Sequence, residues 1–470
     1  MIILLKITGW LLACAPECLL HFMSWLLGPA VLLVPRRRHL VHSNLHHAFP
    51  GRARAWRRRI ALASSRRLVE TGMLSLASPF MSDARLRALG RFSPALTAAL
   101  ARRAAQGGKA PPVLASTAHM AYWECLSWLA LFTDYRTEVG VVFRPLKNEK
   151  LNTWIKTARE RHGMKTFSRK EGLMEIFRTM RRGNVVSVLF DQNTGKLGAL
   201  TTLFGRVCST TEFPGMLVER YKARLVVIHP RRLGFWRFTY EYVDFGAALP
   251  AVGATVALNR WLENALAADD NLCASWLWSH GRWHSRHWVR QRFAYWTNKN
   301  FLDEELALRG LTRAGMPRKT RFWFRLPGGM QGVPGCLFPL LRRLRESRPD
   351  IELTLFARAG DLAALQPLID ERTADKLVAL PPAAAAARRM FRELRHEYPD
   401  TILNLDETPS SDNELRLVRC PELLGLVRPG APRPRLTHCY EVPAALLSSA
   451  PAQTMLWEKL FEHFGLPGKI

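Results

Sequence analysis

Acidic residues are scarce in this chain: 39 Asp and Glu stand against 68 Lys and Arg in 470 residues, a formal net charge of +29. So large an excess of one sign favours anionic partners, whether nucleic acid, acidic lipid headgroups, an acidic carrier protein or phosphorylated substrates. Cysteine is sparse too. The eight thiols, at 14, 18, 125, 208, 273, 336, 420 and 439, include no C-x2-C pair. That argues against a structural zinc site or a compact disulfide framework and for a reducing, cytosol-facing bulk. The G-x-S-x-G elbow of serine acyl-enzymes is missing. No internal repeat occurs, and the single low-complexity patch, Pro381 to Ala387, reads as a loop followed by a helix start. Apolar residues are not lacking: they make up 48% of the chain, with 15 Trp and 23 Phe, so the excess charge does not signal disorder. A chain of this length predicts two or three domains.

Charge is nearly absent from the N-terminus. Only Lys6 and Glu17 carry one before Pro35, and the run from Cys18 to Val34 carries none. Such a run reaches about 25 Å as a helix, slightly short of the hydrocarbon core at roughly 30 Å. It spans with help from Trp10, Leu11 and Leu12, or it lies shallowly. Pro16 and Pro29 disfavour one straight helix, because each removes an amide donor and crowds the preceding turn. With no basic start and no small-x-small site soon after, residues 1–35 read as an uncleaved membrane anchor rather than a signal peptide. Arg36, Arg37 and Arg38 follow, then Arg52, Arg54, Arg57, Arg58, Arg59, Arg66 and Arg67. Alone this block would be a solvated basic face; beside an anchor it predicts contact with anionic lipid and, by the positive-inside rule, a cytosolic remainder. Zinc-finger spacing, aromatic ribonucleoprotein patterns and recognition-helix signatures are absent, so no nucleic-acid partner is expected.

Between about Gly51 and Gln106 the apolar residues recur at helical spacing, as in Val69, Met73 and Leu76. From Pro112 onward strands alternate with helices: strands at Val113 to Ser116, Glu138 to Phe143, Val185 to Phe190 and Arg224 to His229, helices at Glu149 to Arg161 and Gly172 to Arg182. That alternation predicts an α/β domain over residues 36–300 with a largely buried sheet. The pattern weakens over 301–320, read as a linker, and restarts as a second α/β unit over 321–470. There the expected strands are Phe322 to Leu326, Ile351 to Phe356, Lys376 to Leu380 and Thr401 to Leu405, with helices at Leu337 to Glu346 and Ala385 to His396.

His119 and Glu124 follow the strand that begins at Val113. With 14 His and 39 acids in 470 residues, about one such pair arises by chance, so context must carry it. Five residues of continuous helix would set the two side chains about 140° apart. If His119 lies in the turn and Glu124 one turn into the helix, the carboxylate can reach the imidazole, fix its tautomer and raise its basicity. A packed core histidine with an unrelated glutamate is the plainer alternative.

The chain resembles the bacterial lipid A biosynthesis acyltransferases, the lauroyl/myristoyl acyltransferases within the lysophospholipid acyltransferase group with its H-x4-D/E motif. The resemblance covers roughly residues 1 to 295. It rests on Asn44-Leu45, Ala48-Phe49-Pro50, His119-Met-Ala-Tyr-Trp-Glu124, Phe143-Arg144-Pro145 with Asn148, and Arg159-Glu-Arg161-His-Gly163. Asp191-Gln192, Leu203-Phe204-Gly205 and Trp278-Ser-His280-Gly-Arg282-Trp283 complete the ordered series. Ser279 and Gly281 depart from the family's longer or more basic pair around His280. The resemblance implies His119 and Glu124 as the catalytic pair, with Arg159 and Asp191 completing the site. It implies direct transfer from an acyl carrier protein or coenzyme A thioester to a hydroxyl of an anionic glycolipid, at the cytoplasmic face of the inner membrane. Arg159, Arg161 and Arg144 are the expected phosphate holders, and Asn148 is expected beside the substrate. Without the resemblance, Arg159 is a solvated helix residue and Asp191 a turn residue. Cys125, next to Leu126 and Trp128, reads as core packing rather than a nucleophile. Neither a metal nor a bound cofactor is expected. Acylation of another amphiphile, such as a lysophospholipid, mannolipid or aminolipid, and a non-catalytic envelope scaffold are the alternatives.

From Phe322 the chain is similar to the N-terminal half of the heptosyltransferases of lipopolysaccharide core synthesis. Arg325-Leu326-Pro327-Gly328-Gly329, Pro339 to Leu344, Pro349 to Leu355, Tyr398-Pro399-Asp400 and His438 carry this likeness. It implies a Rossmann-like half-domain of glycosyltransferase B type. Val333 follows Gly332 where that family places an acidic base, and a second nucleotide-fold half is missing after it. A degenerate acceptor-binding or structural module is therefore expected, with Asp406 and Glu407 its best-placed acids.

Overall fold

The computed structural model describes residues 2–107, 110–135, 137–143, 145–168, 172–283, 291–295, 299–329, 333–447 and 453–468. They form two compact units, one of Met1–Thr194 with Ser209–Arg282, the other of Gly195–Cys208 with Trp283–Ile470. Both are α/β, as the alternating pattern predicts.

The first unit is built on seven strands: β1 Gly90–Phe92, β2 Val113–Thr117, β3 Val139–Phe143, β4 Met164–Ser168, β5 Val185–Leu189, β6 Arg224–Gly234 and β7 Arg237–Ala247. Their order is β1-β7-β6-β2-β5-β3-β4. β2 pairs in parallel with both β5 and β6, and β3 with both β4 and β5. Runs such as Val-Val-Ser-Val-Leu in β5 suit a sheet covered on both faces. The predicted strands and the helices Glu149–Glu160 and Leu173–Arg181 appear within a residue or two of their expected ends, with one exception. The strand expected to stop at His229 runs on to Gly234 and turns into an antiparallel partner, β7. Arg231 and Arg232 look like loop residues in sequence, yet their charges are met across the fold by Asp269 and Glu70.

The helices that precede the sheet include α1 Ile2–Cys14, α2 Glu17–Val31, α3 Pro35–Ala48 and α4 Arg54–Ala77. The apolar N-terminus breaks at Pro16, which caps α2, so one straight helix is indeed avoided. Small residues let α1 and α2 lie close against neighbouring chain. A Cβ at Gly9 would meet the Leu76 carbonyl at 2.3 Å, and one at Gly28 would come within 2.8 Å of the Arg66 Cα. The opposite faces are apolar and open: Ile3, Leu4, Trp10, Phe22 and Leu26 are all more than half exposed. Among the described residues no single helix is long and apolar enough to cross a membrane; α2 and α3 pass that test only as a pair, bent by 91°.

The second unit contains a six-stranded parallel sheet of β8 Thr320–Arg325, β9 Ile351–Arg358, β10 Lys376–Leu380, β11 Thr401–Asn404, β12 Leu423–Val427 and β13 His438–Glu441. Its order, β10-β9-β8-β11-β12-β13, is the doubly wound 3-2-1-4-5-6 arrangement. The expected linker is a correction. Residues 301–320 carry the helix Leu302–Ala307, whose Leu302 and Leu306 are buried with Leu200, Val207 and Met316. Glu305 is fully buried and accepts the Thr202 amide at 2.6 Å. A short helix with three acids and a polar flank has a weak apolar pattern, which is why it resembles a tether in sequence. The units divide instead between Arg282 and Trp283.

Candidate active site

The register of two neighbouring strands assembles the site. Thr117 at the end of β2 pairs with Leu189 at the end of β5. Two residues further along each chain, His119 and Asp191 stand side by side at the carboxyl edge of the sheet. Asp191 accepts the His119 backbone N–H at 2.9 Å through Oδ2 and the ring Nδ1–H at 2.7 Å through Oδ1. The Trp276 indole donates to the same Oδ2 at 2.7 Å. Burial alone would raise the Asp191 carboxyl, but the His119 charge, both His119 bonds and the indole outweigh it and bring it down to about 2. On the other side of the ring the Gln192 side-chain amide stands 3.0 Å from Nε2. A carboxylate only accepts, so Nδ1 carries the proton, and Nε2 of the neutral ring is the acceptor. That is the tautomer of a general base.

Glu124 is not the partner of this imidazole, contrary to expectation. Its two oxygens accept a bidentate pair from Arg159, Nε at 2.9 Å and Nη2 at 2.6 Å. The Trp123 indole adds a third bond at 3.2 Å. The cause is the turn between His119 and Glu124. Tyr122 has φ +65°, a left-handed conformation that a tyrosine adopts only when held there. Its amide donates to Thr71 Oγ1 at 3.1 Å, and its phenol donates to Glu70 at 2.6 Å while accepting the Trp236 amide at 3.0 Å. Glu70 is in turn paired with Arg232. This buried network sends the chain away from the ring, and Glu124 enters the tight helix Trp123–Phe132 facing Arg159. Trp123 links the two halves: its ring lies edge-on to His119, with centroids 5.4 Å apart.

The remaining candidates separate. Asp191, expected beside the substrate, is the carboxylate that orients the imidazole. Asn148 caps the helix Glu149–Glu160, its Oδ1 accepting the Leu151 amide at 3.0 Å, which is a structural duty. Arg161 is tied to Asp83 at 2.9 Å and to the carbonyls of Pro79 and Met81. Arg144 lies outside the described residues. Cys125 is buried, and burial pushes its thiol up, as suits a packed core residue. Among the described residues no three His, Cys, Asp or Glu side chains converge as metal ligands. Other motif residues brace the site. Asn44 donates to the carbonyls of Trp278 and His280, both at 2.8 Å, and buried Arg282 donates to Ser209 and Thr210.

A cavity opens beside His119, lined also by Arg67, Trp123, Ser275, Trp276 and Ser279. Trp276 and Glu70 have no signature in the sequence, and Tyr122, though inside the stretch from His119 to Glu124, has none for its role, because each acts on a residue more than fifty positions away.

A family model described as bacterial lipid A biosynthesis acyltransferase matches residues 1–285. No curated protein matches the chain. Among solved structures, a glycosyl transferase family 9 protein from Veillonella parvula is similar at 14% identity over 32% of this chain and 42% of its own, with a TM-score of 0.25. The E. coli ADP-heptose lps heptosyltransferase II is similar at 16% identity over 31% of this chain and 40% of its own, also with a TM-score of 0.25. The chain thus spans about two fifths of the length of either.

Proposed function

Because the chain belongs to the bacterial lipid A biosynthesis acyltransferase family, we propose that it moves a fatty acyl group from an acyl carrier protein or coenzyme A thioester to a hydroxyl of an anionic lipid A precursor. The supporting observation is the 2.7 Å bond from His119 Nδ1 to buried Asp191, which leaves the Nε2 lone pair available. The acceptor hydroxyl displaces the Gln192 amide and gives its proton to Nε2 as its oxygen bonds to the thioester carbonyl carbon. The C–S bond then breaks, and the imidazolium returns the proton to the departing thiolate. Asp191 stabilises the transient imidazolium. Glu124 acts at one remove, holding Arg159 and Trp123, and Trp123 packs on the base.

The open apolar faces of α1 and α2, followed by Arg36 and Arg38, support action at an anionic bilayer surface on the cytoplasmic face of the inner membrane. The second unit is proposed to be accessory, without glycosyl transfer of its own. Mass spectrometry of envelope lipids tests the reading. Cells lacking the gene, or carrying His119→Ala, are expected to lose one acyl chain from lipid A; an unchanged acyl count would refute it, and a change confined to phospholipids would make the acceptor another amphiphile.

A further inference from the structure

We propose that Arg67 receives a phosphate ester of the substrate at the mouth of the small cavity beside His119, an inference that rests on the acyl-transfer reading and names the group that anchors its substrate. The arginines expected to hold phosphate from their place in the sequence are otherwise engaged. Arg159 gives Nε and Nη2 to Glu124, and Arg161 is tied to Asp83 and two carbonyls. Arg67, on α4, lines the same cavity as His119.

Its Nη1 donates to the Asn271 carbonyl and to the Ser275 hydroxyl, the latter at 2.9 Å. Its Nε and Nη2 make no hydrogen bond among the described residues. These two form the edge of a guanidinium that matches two oxygens of one phosphate. Glu70, one turn further along α4, is already engaged: both its oxygens accept from Arg232, and one also accepts from Tyr122. Arg67 is therefore a half-buried cation without a hydrogen-bonded counter-ion, and its Nε and Nη2 are not buried, so the fork is open to an anion. Burial and the neighbouring Arg232 charge pull its guanidinium down to about 10, with Glu70 offsetting only part. The ester belongs either to the phosphorylated acceptor headgroup or to the pantetheine arm of the donor; the recognition chemistry is the same.

Equilibrium binding to the full chain in detergent micelles separates the two sources. The probes are a bisphosphorylated glucosamine disaccharide lipid with its dephosphorylated form, and coenzyme A with pantetheine. Arg67→Gln is expected to weaken one phosphate-bearing probe by about tenfold or more while its unphosphorylated counterpart changes by less than about threefold. Arg67→Lys, which keeps the charge but loses the fork, should fall between, and it carries the comparison if thermal melting shows that the glutamine variant is unfolded. The probe that weakens identifies the source. Equal change in both members of each pair, or none, overturns the proposal. Acyl transfer is scored separately: a wild-type chain that binds phosphate through Arg67 but transfers no acyl group refutes the acyltransferase reading and leaves this one standing.

Discussion

At His119 one carboxylate fixes both the backbone and the ring, so orientation and tautomer depend on a single residue. Asp191→Asn keeps the shape but presents a donor where an acceptor is needed. Its kcat is expected to fall by about 10²–10⁴ with little change in KM, measured by steady-state acyl transfer. Glu124→Gln removes charge from a group that acts through Arg159 and Trp123; it should cost less in kcat and lower the melting temperature as the bidentate pair weakens. Asp191 also ties stability to pH. Its folded pKa, about 2, lies below the ordinary 3.8, so its contribution, on the order of 2 kcal/mol, is complete above pH 4 and lost as pH falls through 2. Asp191→Asn should flatten the acid limb of a melting-temperature profile, and an unaltered limb would contradict the pairing. Spacing along the chain brought out His119 and Glu124, but it cannot tell which carboxylate faces the ring. That depends on the pairing of strands some seventy residues apart and on one tyrosine held in a left-handed turn, neither of which is written locally.

The strands and helices were more legible than their partners, because buried parallel strands such as Val113–Thr117 and amphipathic helices such as Glu149–Glu160 carry their own periodicity. The hairpin of β6 and β7 was not, since its arginines are satisfied by Glu70 and Asp269 from other elements. At the N-terminus the proline break was readable, whereas the two-sided character of α1 and α2 was not: glycines face α4 while large apolar side chains face outward. Trp10→Lys with Phe22→Lys should reduce binding to vesicles rich in anionic lipid by about tenfold without altering the melting temperature. Gly28→Leu should do the reverse. It forces a side chain into Arg66, and a destabilisation of about 1–3 kcal/mol is expected by thermal or denaturant unfolding, with vesicle binding retained.

Across the whole molecule, the units do not follow the chain in two unbroken stretches. Residues 195–208 belong to the second unit although they interrupt the first, and Leu200 and Val207 share a core with Leu302, Leu306 and Met316. A chain ending at 282 would leave that apolar surface and the Thr202 amide uncovered. Such a truncation is expected to aggregate or melt well below the full chain, as light scattering and calorimetry would register. A linker was the natural reading of 301–320 because a buried glutamate paired with a distant threonine looks, in one dimension, like a solvent-exposed acid.

Imidazole nitrogen NMR of chain labelled at histidine tests the central claim most directly, since it reports which ring nitrogen of His119 bears the proton and what holds it. The Nδ1–H tautomer with a hydrogen-bonded Nδ1 proton is predicted in the wild type, retained in Glu124→Gln and lost in Asp191→Asn. A signal that survives in Asp191→Asn and disappears in Glu124→Gln would contradict it.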